Sequence, residues 1–174
     1  MKLFYLFLIC SIPLCSNAQV TNVKTKVETS QKHYEVALNE INFAISKLEE
    51  CENSHSIDLM HNNAIDAKKK LFRAKRFIGY AKDDARATEK EASNKNCFEA
   101  EDQAKSVEVY YYDAQTKIAS AIDNLSSSIY KRDLDFVKKA ISDANTDINR
   151  ALNKMKHAVN KYGVIKSAFE DCNN

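Results

Sequence analysis

The chain has 174 residues, a formal charge of +2, 44% hydrophobic and 29% charged residues, and only two glycines and one proline. Tight turns, phosphate-cradling loops and strained nucleophile elbows depend on glycine's positive φ. With Gly79 and Gly163 alone, no P-loop, dinucleotide fingerprint or Gly-x-Ser-x-Gly motif can be written.

Residues 1–18 read as a cleavable export signal. Lys2 precedes an apolar run from Leu3 to Leu14, and Ser16-Asn17-Ala18 offers small residues at a signal-peptidase site ahead of Gln19. The run is too short to span a bilayer. Cys10 and Cys15 follow Ile9 and Leu14, where a lipoprotein signal needs a small residue, so acylation is not expected. Cleavage would leave residues 19–174 as one domain of 156 residues with 25 Lys+Arg, 24 Asp+Glu and no proline. The expected address is secreted or periplasmic.

Four heptad segments follow. In the first, Tyr34, Ala37, Ile41, Ala44, Leu48 and Cys51 recur at steps of three and four. The second carries Met60, Ala64, Ala67, Leu71, Ala74, Ile78, Ala81, Ala85, Thr88 and Ala92, crossing Gly79 in phase. The third runs from Cys97 through Ala100, Ala104, Val107, Tyr111, Ala114, Ile118 and Ala121 to Leu125, and the fourth from Leu134 through Ile141, Ile148, Met155 and Tyr162 to Phe169. Apolar groups at this period predict four amphipathic helices. Phase is lost where Asn and Ser gather, at 53–54, 93–96 and 126–132. Asn96 with Glu99 predicts a capping box, and Asp133 a cap for the fourth helix. Long helices joined by short turns run antiparallel, so the expected fold is an all-α, up-down-up-down four-helix bundle.

Charge supports that order, with −2 on 21–52, +3 on 54–92, −4 on 97–130 and +1 on 133–171, so sequential neighbours differ in sign. Cysteine placement does so independently. Cys97 opens the third helix and Cys172 closes the fourth, which puts both at one end and predicts a Cys97–Cys172 disulfide. Cys51 then lies at the other end, either as a buried core thiol or as the donor of an intermolecular disulfide.

Large and small residues alternate in the expected core, which leaves no room for a haem, and Thr88 is its one polar side chain. Glu52-Asn53-Ser54-His55 and Asp58-Leu59-Met60-His61 nominally suit a metal, but they sit at a turn and no second helix matches them. His33 and His157 read as surface groups. No metal, cofactor or enzymatic activity is expected.

Two surface features remain. Lys68, Lys69, Lys70, Arg73, Lys75 and Arg76, with Phe72 and Phe77 among them, form a basic run. It reads either as a patch for an anionic polymer or membrane surface or, preferably, as charge neutralised by the acidic helices beside it. On the third helix Phe98, Val109, Tyr112 and Ile122 make the outer side more apolar than one bundle requires, the mark of a partner surface or of self-association. A near-neutral mature chain argues against nucleic acid as partner. The leading expectation is a non-enzymatic interaction or structural module that binds a protein or envelope component. The alternative is association with an anionic lipid surface.

Overall fold

In a computed structural model of the chain, the described residues are 12–172, with side chains from residue 22 onward. The expected leader falls mostly outside them: residues 1–11 are not described, and Ile12–Ala18 belong to the first helix. The helices are α1 (Ile12–Glu52), α2 (Ile57–Asn94), α3 (Phe98–Ser128), α4 (Leu134–Asn160) and α5 (Tyr162–Cys172). No strand occurs among the described residues. Each long helix packs on the next in sequence, and α4 and α5 return to α1, so the fold is the expected antiparallel all-α bundle.

The heptads dictate what is buried. Every predicted core position of α2, from Met60 to Ala92, is buried, and Tyr111, Phe169, Ile41, Leu48, Ile118 and Ile148 are among the largest side chains with no exposure to solvent worth counting. Alanines between them let the helices approach and the layers interlock. On α1 the stripe begins earlier than Tyr34, since Val23, Val27 and Ser30 are also buried.

Three expectations need correction. The fourth segment is not one helix: Lys161 forms a turn between α4 and α5, its N–H bonded to Ala158 O at 3.1 Å. The heptad phase passes through unchanged, with Ala158, Tyr162, Ile165 and Phe169 all buried, so periodicity cannot reveal the break. Asn96 does not cap α3. It takes φ 57°, the left-handed conformation that ends α2, with Asn96 N–H on Ser93 O at 3.0 Å and Cys97 N–H on Ala92 O at 3.0 Å. That is the Schellman pattern, with Asn in the place usually held by glycine. Nor is Thr88 the core's one polar side chain, because Ser30, Asn63, Ser128 and Asp147 are buried as well.

The remaining ends follow the sequence. Asp133 accepts the Phe136 N–H at 3.0 Å and Ser56 accepts the Leu59 N–H at 3.4 Å, so a side chain satisfies one free donor at the start of α4 and one at the start of α2. Cys97 and Cys172 are bonded, with Cα atoms 5.7 Å apart, and they join the start of α3 to the end of α5.

Candidate interaction surfaces and the seams behind them

Positions flanking each heptad core meet in four seams, and these decide which side chains face outward. Between α1 and α2, Lys26, His33 and Glu40 stand one heptad apart on α1. Lys26 reaches Glu91 at 3.6 Å, His33 Nδ1 reaches Asp84 Oδ2 at 2.8 Å, and Glu40 gathers Lys70 at 3.0 Å and Arg73 at 3.4 Å. Between α2 and α3, Arg86 pairs with Glu108 and Gln115 Nε2 donates to Lys75 O at 3.2 Å. Between α3 and α4, Lys154 pairs with Asp113 at 2.9 Å, and the buried Asp147 accepts from Ser120 Oγ at 2.6 Å. Each exposed pair is worth only tenths of a kcal/mol, but opposite signs at matched heights fix register.

The basic run therefore does not form one face. Lys70 and Arg73 turn to Glu40, and Lys69 pairs with Asp66 at 3.2 Å. Lys68 and Lys75 lie on the flank toward α3, and the Arg76 guanidinium stands 5.7 Å over the Phe77 ring. Heptad spacing separates these six cations around the helix, and the acidic neighbour takes up part of their charge. Phe72 is exposed too, three residues from Lys69 and four from Arg76 on the same helix.

The sequence reading missed what joins those cations on the α1 side. His33, Phe77 and Tyr80 form an aromatic group, with His33 to Tyr80 ring centroids 5.4 Å apart and Phe77 to Tyr80 edge-on at 5.7 Å. His33 is thus half-buried in a seam, correcting its reading as a surface group. One heptad further along, Lys70 Nζ lies 4.6 Å over the Phe43 ring. Phe43 and Tyr80 remain 44% and 43% exposed, so this ridge offers ring faces and cations together. The signal lay in the registry of two helices, which a single heptad cannot give. Burial raises the pKa of Asp84, and its hydrogen bond to His33 works in the opposite direction.

On α3 the predicted patch splits. Phe98, Val109 and Tyr112 are 71%, 52% and 60% exposed, but Phe98 stands about 16 Å along the helix from Val109. Asp102 and Lys105 intervene, and with Ser106, Val109 and Tyr110 they line an open depression of about 430 Å³. Ile122 is not part of this surface. It is 3% exposed, because it follows core Ala121 on the edge of the stripe and packs into the bundle interior.

The fourth seam closes α1 against α4 and α5, and it is the most sparsely packed of the four. Asn145 Nδ2 bonds Glu52 at 2.7 Å near one end, and Lys166 stands 3.8 Å from Glu28 near the other. One and two heptads inward from the first pair lie only apolar, half-buried Leu38, Ile45, Leu152 and Val159. Ser30 Oγ meets Tyr162 OH at 2.5 Å, and Tyr162 OH meets Tyr111 OH at 2.5 Å. Burial pushes the Tyr162 phenol up to about 12 and Tyr111 further in the same direction.

Cys51 is free and fully buried, its Sγ 3.5 Å from Met60 O. Burial, with Glu50 and Glu52 nearby, raises its thiol to about 11. A buried, protonated thiol cannot meet a partner's disulfide in this conformation, so the structure favours the core reading over the intermolecular one. Beside it a cavity of about 220 Å³ opens at the α1–α4 seam, lined by Cys51, Glu52, Lys138, Ile141 and Ser142.

No protein-family model matches the chain, and no curated protein matches it in sequence. The histidines near the first turn serve the fold or solvent: His61 Nε2 lies 2.9 Å from Lys131 O, while His55 is exposed. Among the described residues no three His, Cys, Asp or Glu side chains stand together as a metal site, and no helix is long and apolar enough to cross a membrane.

Proposed function

We propose that this protein is a non-enzymatic helical-bundle module, secreted or periplasmic, that binds another protein or envelope component through its outer faces. The supporting observation is the distribution of its large apolar groups. The interior is filled by its own side chains, whereas Phe43, Tyr80, Val109 and Tyr112 stay exposed on rigid helices. Rigid aromatic side chains lose little conformational entropy when they bind, and they dominate contact energies in protein interfaces. A second copy of the chain is one candidate partner, and a near-neutral mature chain does not suit nucleic acid. The disulfide is compatible with an oxidising compartment.

Size-exclusion chromatography with light scattering, run on wild type, Val109→Glu/Tyr112→Glu and Phe43→Glu/Tyr80→Glu, tests the reading. Loss of self-association or of a captured envelope partner in one double variant, with helicity unchanged, identifies the working face. A monomer whose captured partners are the same in all three forms contradicts it.

The alternative is attachment to an anionic lipid surface. It is favoured by the α1–α2 ridge, where the exposed Arg76 and the partly neutralised Lys69 and Arg73 share the outer side with Phe43 and Tyr80. Cations beside exposed rings suit a headgroup region.

A further inference from the structure

The outer side of α3 carries a second heptad rhythm, out of phase with the buried one. Phe98, Asp102, Lys105, Val109 and Tyr112 follow one another at steps of four and three, and all five are exposed. Steps of three and four are the spacing by which one helix lies along another, and no helix of the same bundle covers this stripe.

The order of residues within the stripe selects the helix that fits it. Phe98 and Val109 stand equally far on either side of the point midway between Asp102 and Lys105. Turned end for end, the stripe therefore meets itself. An antiparallel second α3 sets Phe98 against Val109 and Asp102 against Lys105, each of them twice. A shift of one step along the stripe would instead set Asp102 against Tyr112 and Lys105 against Val109, so charge selects the first register.

The electrostatics of the face permit that approach. Among the described residues the ion pairs of α3 join Glu108 to Arg86, Asp113 to Lys154 and Lys117 to Asp147, and Asp102 and Lys105 belong to none of them. Of the charges left on and beside this stretch, Lys95, Lys105 and Lys161 balance Glu99, Glu101 and Asp102, and on the α2 flank Lys90 balances Glu89. Two such faces meet without net repulsion. The surface is also preformed. Tyr110, one wall of the depression beside Val109, is held from behind by α4, with the His157 ring centroid 5.5 Å from its own and Lys154 Nζ 5.8 Å over its ring. Little ordering is left for binding to impose.

We infer that the partner of the α3 face is a second copy of this chain, docked antiparallel about a two-fold axis midway between Asp102 and Lys105, with Phe98 of each copy seated at the Val109 end of the other's depression. This rests on the outer-face reading above and names its partner. A two-fold contact uses the same patch on both copies and closes at a dimer. The stripe from Phe98 to Tyr112 is only about 20 Å long, a small contact. The dimer is accordingly weak, with a dissociation constant of about 10–100 µM.

Sedimentation velocity on the disulfide-intact protein, from about 5 to 500 µM, measures that constant. Asp102→Lys and Lys105→Asp each create two like-charge contacts and should raise it at least about tenfold, whereas Asp102→Lys/Lys105→Asp restores both attractions and should return it to within about threefold of wild type. Phe98→Glu should also raise it at least about tenfold, and Phe43→Glu/Tyr80→Glu should leave it unchanged. Helicity is verified in every variant. A dimer indifferent to changes at Phe98, Asp102 and Lys105 overturns the α3 site. Weakening by the single reversals without rescue by the double reversal overturns the antiparallel register. A wild type that stays monomeric throughout overturns the second copy as partner. An envelope protein still captured by that monomer, and lost in Val109→Glu/Tyr112→Glu, then takes its place, while capture equal in all forms removes the outer-face reading as well.

Discussion

The α1–α2 hairpin and the α3–α5 hairpin bury the same kind of heptad stripe, yet different forces hold them. The first relies on a ladder of charges, Lys26 with Glu91, His33 with Asp84, and Glu40 with Lys70 and Arg73. The second adds a covalent ring through Cys97 and Cys172 and a buried phenol pair, Tyr111 with Tyr162. The α4–α5 break lies inside that ring, so a helix of 11 residues too short to be stable alone is pinned at both ends. A bundle can thus pin one half covalently and leave its closing seam the most sparsely packed.

The largest test of that difference is removal of the ring. Cys97→Ser/Cys172→Ser should lower stability by about 4 kcal/mol, the loop-entropy value for a closed loop of 75 residues. Denaturant unfolding measures it, and hydrogen exchange should quicken in α5 before α1. Equal acceleration in both hairpins would erase the distinction.

Alkaline pH probes the phenol pair. Folded Tyr162 ionises near pH 12 and Tyr111 is shifted up as well, whereas unfolded phenols lose their protons near pH 10. From about pH 10 upward the unfolded state therefore binds fewer protons, and stability falls as pH rises. Tyr162→Phe should cost about 1 kcal/mol at pH 8 and flatten that fall, as read from denaturation midpoints between pH 8 and 11.5.

Charge matters less, and in the other hairpin. Glu40→Gln should cost about 0.5–1 kcal/mol at low salt and almost nothing in 1 M NaCl, because it releases Lys70 and Arg73. The same variant should strengthen binding to anionic vesicles.

The smallest effect separates the two glycines. A Cβ at Gly163 meets nothing within 4 Å, so Gly163→Ala should gain about 0.5 kcal/mol from helix propensity. At Gly79 the added carbon would come within 2.8 Å of Gln115 Nε2, the end of a flexible side chain. Gln115 must then release Lys75 O, and the gain should cancel to about zero in thermal unfolding.

Most of the fold was legible because one period carries it: Ile41, Leu71, Tyr111 and Ile148 could be placed inside from spacing alone. The disulfide followed from helix direction and cysteine position. What escaped depends on relations between helices or on backbone turns within one phase. The Lys161 break leaves Tyr162 and Phe169 on the same face, so no pattern changes. Asn96 was misread because a short polar residue serves equally as an N-cap and as a left-handed helix terminator. Ile122 was placed outside because a two-position stripe is narrower than the face two neighbouring helices bury. The ridge of His33, Phe77, Tyr80 and Phe43 needs α1 and α2 in register, and the sparser packing of α1 on α4 and α5 shows only in the assembled bundle.

The direct test of unequal halves is a pair of spin–spin distances, measured in a Cys51→Ala background with the native disulfide intact. Labels at Asn42 and Asn149 flank the α1–α4 seam, and labels at Lys69 and Asp123 flank the α2–α3 seam, all at exposed positions. The account predicts a single narrow distance across α2–α3. Across α1–α4 it predicts a broader distribution, because that seam is the most sparsely packed. Equally narrow distances across both seams would contradict it.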